Sequence, residues 1–294
     1  YWLTSPALSQ VKSKSEAKVS LAKRLNQLQP FRIITADMHH AYVNGAFYAL
    51  DLDLAKPDGP GRLVLDLVNP VIQLGAVTSE KGVPIGGDFP TWQHGSLFRV
   101  IDDALTQKHG TPEFGAPFPA LVCDDFGTEA GDFIGVDDNP LSARAVFVVA
   151  KHKSGDPGVS AADFYDVCGQ GVKNLAFLKS DGDDLPGALK KFDQDWTLSK
   201  GKGRAKKIDR IPRRRAGPGS TAFRKMLARV KQSPGAEREI WLVCAGGMLS
   251  KSALEREFQS SPPKAHVLQF YHLVISTYSA CQSVGVNLRI FSSP

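Results

Sequence analysis

Residues 131–153 read GDFIGVDDNPLSARAVFVVAKHK. Asp132 opens one expected strand and Lys151 closes the next, with DNPLS as the turn between them. A carboxylate and an ammonium at neighbouring strand ends suit phosphodiester hydrolysis. That reaction builds negative charge on the oxygens bound to phosphorus. Carboxylates can hold a divalent cation that neutralises this charge and activates water. A lysine beside them stabilises the transition state or orients the nucleophile. Side chains alternate faces along a strand, so register decides whether the two residues meet. They share a face only if Asp132 lies opposite an odd-numbered residue such as Val149. A four-residue loop over 139–142 gives that register, whereas a five-residue loop over 138–142 separates them. Plainer roles also fit: Asp132 bonded to nearby backbone or to Arg144, and Lys151 keeping its stem on the sheet and its head in water.

The surrounding elements must bring these residues together. TWQHGSLFRVIDDALTQKHG (91–110) predicts a helix that stops at Gly110. ALVCDD (120–125) predicts a short buried strand, and the two strands of the opening stretch follow it. SAADFYDVCGQGVKNLAFLK (160–179) has helical apolar spacing, with Ser160 as N-cap and Asp163 three residues on. EIWLVCAGG (239–247) reads as a buried strand. SALEREF (252–258) reads as a short helix capped by Ser252, AHVLQFYHLVISTYSACQSVG (265–285) as a long helix and VNLRIF (286–291) as a last strand. Upstream, 7–28 predicts a basic amphipathic helix, while 31–38, 41–54 and 61–77 predict strands, with a turn at KPDGPG. The expected fold is α/β: a mixed central sheet flanked by helices, with a β-rich N-terminal part. The expected division is an N-terminal region over 1–90 and an α/β domain over 91–294.

This order of helix, strand, Asp-led strand, Lys-ended strand and helix resembles the restriction-endonuclease-like superfamily, the PD-(D/E)xK nucleases. The resemblance spans 91–180. It places the superfamily's first acid at Asp132, its lysine at Lys151 and its helix glutamine at Gln170. It implies a nuclease, a hydrolase using Mg²⁺ (or Mn²⁺), with Asp132, Asp125 and Glu129 as metal ligands and Asp132, Lys151, Glu129 and Gln170 as the catalytic set. One position departs from the pattern. The acid expected two residues before the lysine is Val149. Either Glu129, Asp124 or Asp125 supplies the second carboxylate, or the site is inactive. An inactive site would leave a non-catalytic nucleic-acid-binding module attached to a partner or motor protein. The chain after Glu239 also looks like the end of helicase-linked proteins of bacterial phage defence, which implies a helicase or other defence-system protein as partner.

Charge is unevenly spread. Residues 199–231 hold 13 Lys/Arg against one acid, Asp209, so this stretch carries +12 and the remainder −6 of the net +6. Such asymmetry implies a polyanionic partner, DNA or RNA. SKGKGRAKKIDRIPRRRAGPGS (199–220) has few apolar residues and predicts a mobile basic loop, inserted over 199–235. Its Lys206, Lys207, Arg210, Arg213, Arg214 and Arg215 are the expected phosphate contacts, which need carry no sequence preference. An acidic protein partner is the other reading of this loop.

No P-loop, G-x-S-x-G or H-E-x-x-H motif occurs. DMHH (37–40) reads as polar turn chemistry more readily than as a metal site. The cysteines at 123, 168, 244 and 281 form no CxxC pair and have apolar flanks. They read as buried free thiols of a reducing, cytoplasmic compartment. No run approaches the apolar length of a membrane span. The N-terminus lacks a signal-peptide core and an initiator Met, so the 294 residues are read as a possible fragment of a longer protein.

Overall fold

The computed structural model describes residues 4–11, 19–28, 33–34, 40–43, 46–49, 53–85, 88–106, 111–180, 182, 184–197 and 210–294. The chain divides into two units, Tyr1–Leu54 and Ala55–Pro294. The boundary therefore falls earlier than the expected residue 90. The first unit holds α1 (Pro6–Gln10), α2 (Leu21–Leu28) and an antiparallel sheet of β1 (Ile33–Ile34), β2 (His40–Val43) and β3 (Ala46–Ala49). Ser5 caps α1 by accepting from Leu8 N at 3.3 Å. Between the two pieces of the expected 7–28 helix, 12–18 lie outside the described residues. So do residues 37–39 of DMHH.

The second unit runs α3 (Pro60–Leu67), β4 (Val68–Pro70), α4 (Leu97–Thr106), β5 (Ala120–Cys123), β6 (Phe133–Asp137), β7 (Arg144–Lys153) and α5 (Ala161–Lys179). It continues with β8 (Asp195–Thr197), β9 (Arg210–Pro212), β10 (Arg214–Ala216), α6 (Ser220–Gln232), β11 (Glu237–Gly246), α7 (Lys251–Phe258), α8 (Ala265–Ser283) and β12 (Asn287–Ser292). Seven strands form one mixed sheet in the order β10-β5-β6-β7-β11-β12-β4. Its β10–β7 half is antiparallel, and β7, β11, β12 and β4 run parallel. The strands β8 and β9 pair separately. The expected α/β fold with helices on a mixed sheet is the observed one.

Strand alternation sorts the two faces. On one, Phe133, Val146, Val148, Ala150, Trp241 and Val243 pack against Leu97, Phe98 and Ile101 of α4. On the other, α5 lies close to β11. A Cβ at Gly171 would come within 3.2 Å of Ile240 Cγ2 and Leu242 Cδ2, so glycine permits this approach. Phe164 of α5 then meets Phe270 of α8, with ring centroids 4.5 Å apart. All four cysteines are buried and free. No helix among the described residues is long and apolar enough to cross a membrane.

Several local expectations are corrected. The run GRLVLDL is a helix, not a strand. Its centre, Leu63–Leu65, is continuously apolar, so periodicity over this short run could not decide. Pro60 in the first turn and the Arg62 Nε–Asp66 Oδ2 bond (3.0 Å, i to i+4) favour the helix. The helix α4 starts only at Leu97, because 79–80 dock on its first turn: Leu97 N donates to Ser79 O at 2.9 Å and Phe98 N to Glu80 O at 3.0 Å. Ser250, not Ser252, caps α7 and accepts from Ala253 N at 3.3 Å. The described part of the supposed basic loop, 210–235, is ordered into β9, β10 and α6. Phe223, Leu227 and Val230 bury one face of α6, and β10 adds an edge strand to β5.

Candidate active site at the end of the central sheet

The hairpin β6–β7 pairs Phe133 with Val148 and Asp137 with Arg144. Carried one step further, this register sets Asp132 beside Val149, as the four-residue loop requires. Asp132 straddles that position. Its N donates to Val148 O at 2.7 Å, and its Oδ2 accepts from Ala150 N at 2.7 Å. The carboxylate therefore replaces a ladder carbonyl where the strand starts, while Asp132 O accepts from Asp124 N at 2.8 Å. Burial raises the Asp132 pKa to about 8, partly offset by the Ala150 N–H; the Asp125 charge adds to the rise, Lys81 opposes it and Glu80 adds again.

The groups around Asp132 come from distant parts of the chain. Asp125 follows β5 and receives Trp196 Nε1 at 2.8 Å and Lys81 Nζ at 2.8 Å. Lys81 and Glu80 arrive on the segment docked at the start of α4. Lys151 Nζ lies 3.8 Å from Glu80 Oε2, and His152 N donates to the same oxygen at 3.5 Å. Burial works against the Lys81 ammonium. The bond and charge of Asp125, with Asp132 and Glu80 behind, outweigh it and hold its pKa above the ordinary lysine value. Three carboxylates and two lysines thus meet at one end of the sheet. Glu80 and Lys81 were missed from sequence. Lys81 opens a glycine- and proline-rich connection, and no local signal ties it to residues 125–151.

The other expected site residues lie elsewhere. Asp124 is fully buried and ion-paired with buried Lys191. It also accepts from Ala130 N at 2.9 Å. Glu129 adds its charge to Asp124, and its buried Oε2 has no hydrogen bond. Gln170 sits half-buried on α5. The lysine that reaches α5 is Lys153, bonded to Asp163 Oδ2 at 2.6 Å and Ser160 Oγ at 3.0 Å.

The expected phosphate contacts separate in the same way. Lys206 and Lys207 lie outside the described residues. Arg210 is exposed on β9. Arg214 pairs with Asp193 at 3.3 Å. Arg215 grips buried Asp102 through Nε (3.0 Å to both oxygens) and Nη2 (2.6 Å), which is a structural task. Arg213 is buried beside Phe126.

Asp125, Asp132 and Glu80 offer hard oxygen donors of the kind Mg²⁺ or Mn²⁺ takes. Among the described residues, no group of three or more His, Cys, Asp or Glu closes to metal-holding spacing. The Lys81 ammonium is seated on Asp125, and the charge of Asp132 also acts on it. To hold a divalent ion these oxygens would have to draw closer together and Lys81 would have to leave Asp125.

The raised Asp132 pKa makes a prediction about stability. Between the ordinary value of 3.8 and the folded value of about 8, the unfolded chain gives up this proton before the folded one does. The folded state then binds more protons, so stability falls as pH rises through that window. Asp132→Asn removes the titration and retains an acceptor for Ala150 N. Urea unfolding at about pH 5 and about pH 8 is expected to show the variant gaining on the wild type at the higher pH. A pH-independent difference would contradict the raised pKa.

No family model matches the chain, and neither a curated protein nor a solved structure matches it.

Proposed function

We propose that the protein binds nucleic acid and hydrolyses its phosphodiester backbone with a divalent cation held by Asp132, Asp125 and Glu80. The observation that carries this reading is the meeting of three carboxylates and two lysines at one sheet end, with Asp132 among them raised to about 8. Mg²⁺ or Mn²⁺ bound there would neutralise charge on the phosphate oxygens and lower the pKa of water. Asp132 is fixed by Ala150 N and Asp125 by Trp196, so both carboxylates are oriented before substrate arrives. Lys151 is held only loosely by Glu80 and remains part-exposed, which leaves it able to turn to a phosphate oxygen. Arg210, Arg214 and the lysines of 198–209 supply backbone contacts independent of sequence.

A second reading is a binding module without catalysis. Buried Val149 at the position of the missing acid favours it, as does the Lys81 ammonium seated on Asp125. Incubating plasmid and single- and double-stranded DNA and RNA oligonucleotides with the protein in Mg²⁺, Mn²⁺ or EDTA separates the two. Hydrolysis with either metal and none in EDTA is expected. Binding without hydrolysis under every condition would leave the module reading in its place.

A further inference from the structure

A cavity of about 520 Å³ opens beside the carboxylates, walled by Lys81, Asp125, Phe126, Trp196, Thr197 and Arg213. The Arg213 backbone is fixed on both sides: its N donates to Gln194 O at 3.2 Å, and its O accepts from Cys123 N at 2.7 Å. The side chain is only 3% exposed, yet Nε and Nη1 have no hydrogen-bond partner. Among the described residues no carboxylate forms an ion pair with it, although the charges of Asp124, Asp125 and Asp195 act on it from farther off. Its guanidinium instead lies 3.8 Å from the centre of the Phe126 ring. A buried guanidinium without such bonds is costly, and an anion beside it would offset that cost. Phe126 is 47% exposed despite its size, so the ring presents area to the solvent as well as to Arg213. Trp196 is held by its bond to Asp125, which ties this wall to the carboxylates.

We propose that this cavity is a nucleotide subsite that takes one unpaired nucleotide, its phosphate beside Arg213 and Lys81 and its base against Phe126. The proposal rests on the nuclease reading for its place beside the reacting phosphate, and it adds the form of the substrate. Of the charged residues in the cavity wall, Lys81 and Arg213 are cationic and Asp125 is anionic, so two cations face a phosphate entering there. A volume of this size falls within the range of small-ligand pockets. An aromatic face accepts any base, as sequence-tolerant single-strand binding requires. A fully paired interior nucleotide could not enter, so the substrate is a single strand or a frayed end.

The test uses the full chain in EDTA, where neither metal nor cleavage is involved, with Trp196 fluorescence and calorimetry as readouts. Thymidine monophosphate is expected to bind at least tenfold tighter than thymidine or inorganic phosphate. Arg213→Gln is expected to lose at least about tenfold in affinity for the monophosphate, as the loss of a charge-assisted contact implies. Phe126→Ala, a change at a part-exposed position that leaves the fold intact, is expected to lose at least about fivefold. Inorganic phosphate binding as tightly as the nucleotide would overturn the proposal, as would absent nucleotide binding or an unaffected Phe126→Ala. Absent nucleotide binding leaves metal-dependent cleavage standing, and a protein that binds the nucleotide but cleaves nothing leaves the subsite standing.

Discussion

Asp132→Ala is expected to abolish phosphodiester cleavage while nucleic-acid binding stays intact or tightens slightly. The change takes a ligand from the cation and a negative charge from the path of the phosphate. It also strips Ala150 N of its acceptor, which costs stability for a separate reason. Asp132→Asn keeps an acceptor there and should be equally inactive while folding normally. Lys151→Ala is expected to slow cleavage by about 10²–10³, the usual loss for one transition-state donor. These rates are read from labelled oligonucleotides under single-turnover conditions, with binding followed in parallel. Wild-type rates in Asp132→Asn would remove this residue from the chemistry.

The second large effect is expected behind the site. Lys191 and Asp124 are an ion pair with 1% and 0% side-chain exposure. Burial raises the Asp124 pKa to about 6 even with Lys191 beside it, and burial lowers that of Lys191. A charge buried this way depends on its partner. Lys191→Met leaves the Asp124 carboxylate uncompensated, next to Glu129, and is expected to cost about 3–5 kcal/mol in urea unfolding. The double variant Asp124→Asn/Lys191→Met removes both charges, keeps an acceptor for Ala130 N and should recover most of that loss. The pair also has a bearing on function. Asp124 Oδ2 accepts from Ala130 N and Asp124 N donates to Asp132 O, so it holds the turn that carries Asp125 and Asp132. Losses that simply add in the double variant would contradict this view of the pair.

The central elements were legible because their periods are unambiguous. Alternation in ARAVFVVAK and helical spacing after Ser160 led to β7 and α5, whereas loop length left two registers open, of which the four-residue one is observed. Asp132 and Asp125 could be proposed from sequence because they flank short strands that pair locally. Glu80 and Lys81 could not, since their place depends on the docking of 79–80 onto α4 and on long-range packing. The roles of the arginines were hidden for a similar reason. RIPRRR looks like one solvated cluster, yet alternation along an edge strand and its neighbours gives each arginine its own surroundings. Arg215 goes to buried Asp102, Arg214 to Asp193 and Arg213 to Phe126. Composition reports the charge of such a run but not which charges are already matched inside the protein.

In the proposed mechanism Glu80 supplies the acid absent at Val149. The most direct test is the single-turnover cleavage rate of Glu80→Gln across a range of Mg²⁺ and Mn²⁺ concentrations, beside Glu129→Gln. Glu80→Gln is expected to lose activity as severely as Asp132→Asn at low Mg²⁺ and to recover in part at high Mg²⁺ or in Mn²⁺, because a weakened cation site fills again by mass action. Glu129→Gln, whose charge acts on buried Asp124, should cleave at close to the wild-type rate. Wild-type cleavage by Glu80→Gln at every metal concentration, with activity lost in Glu129→Gln instead, would contradict the account.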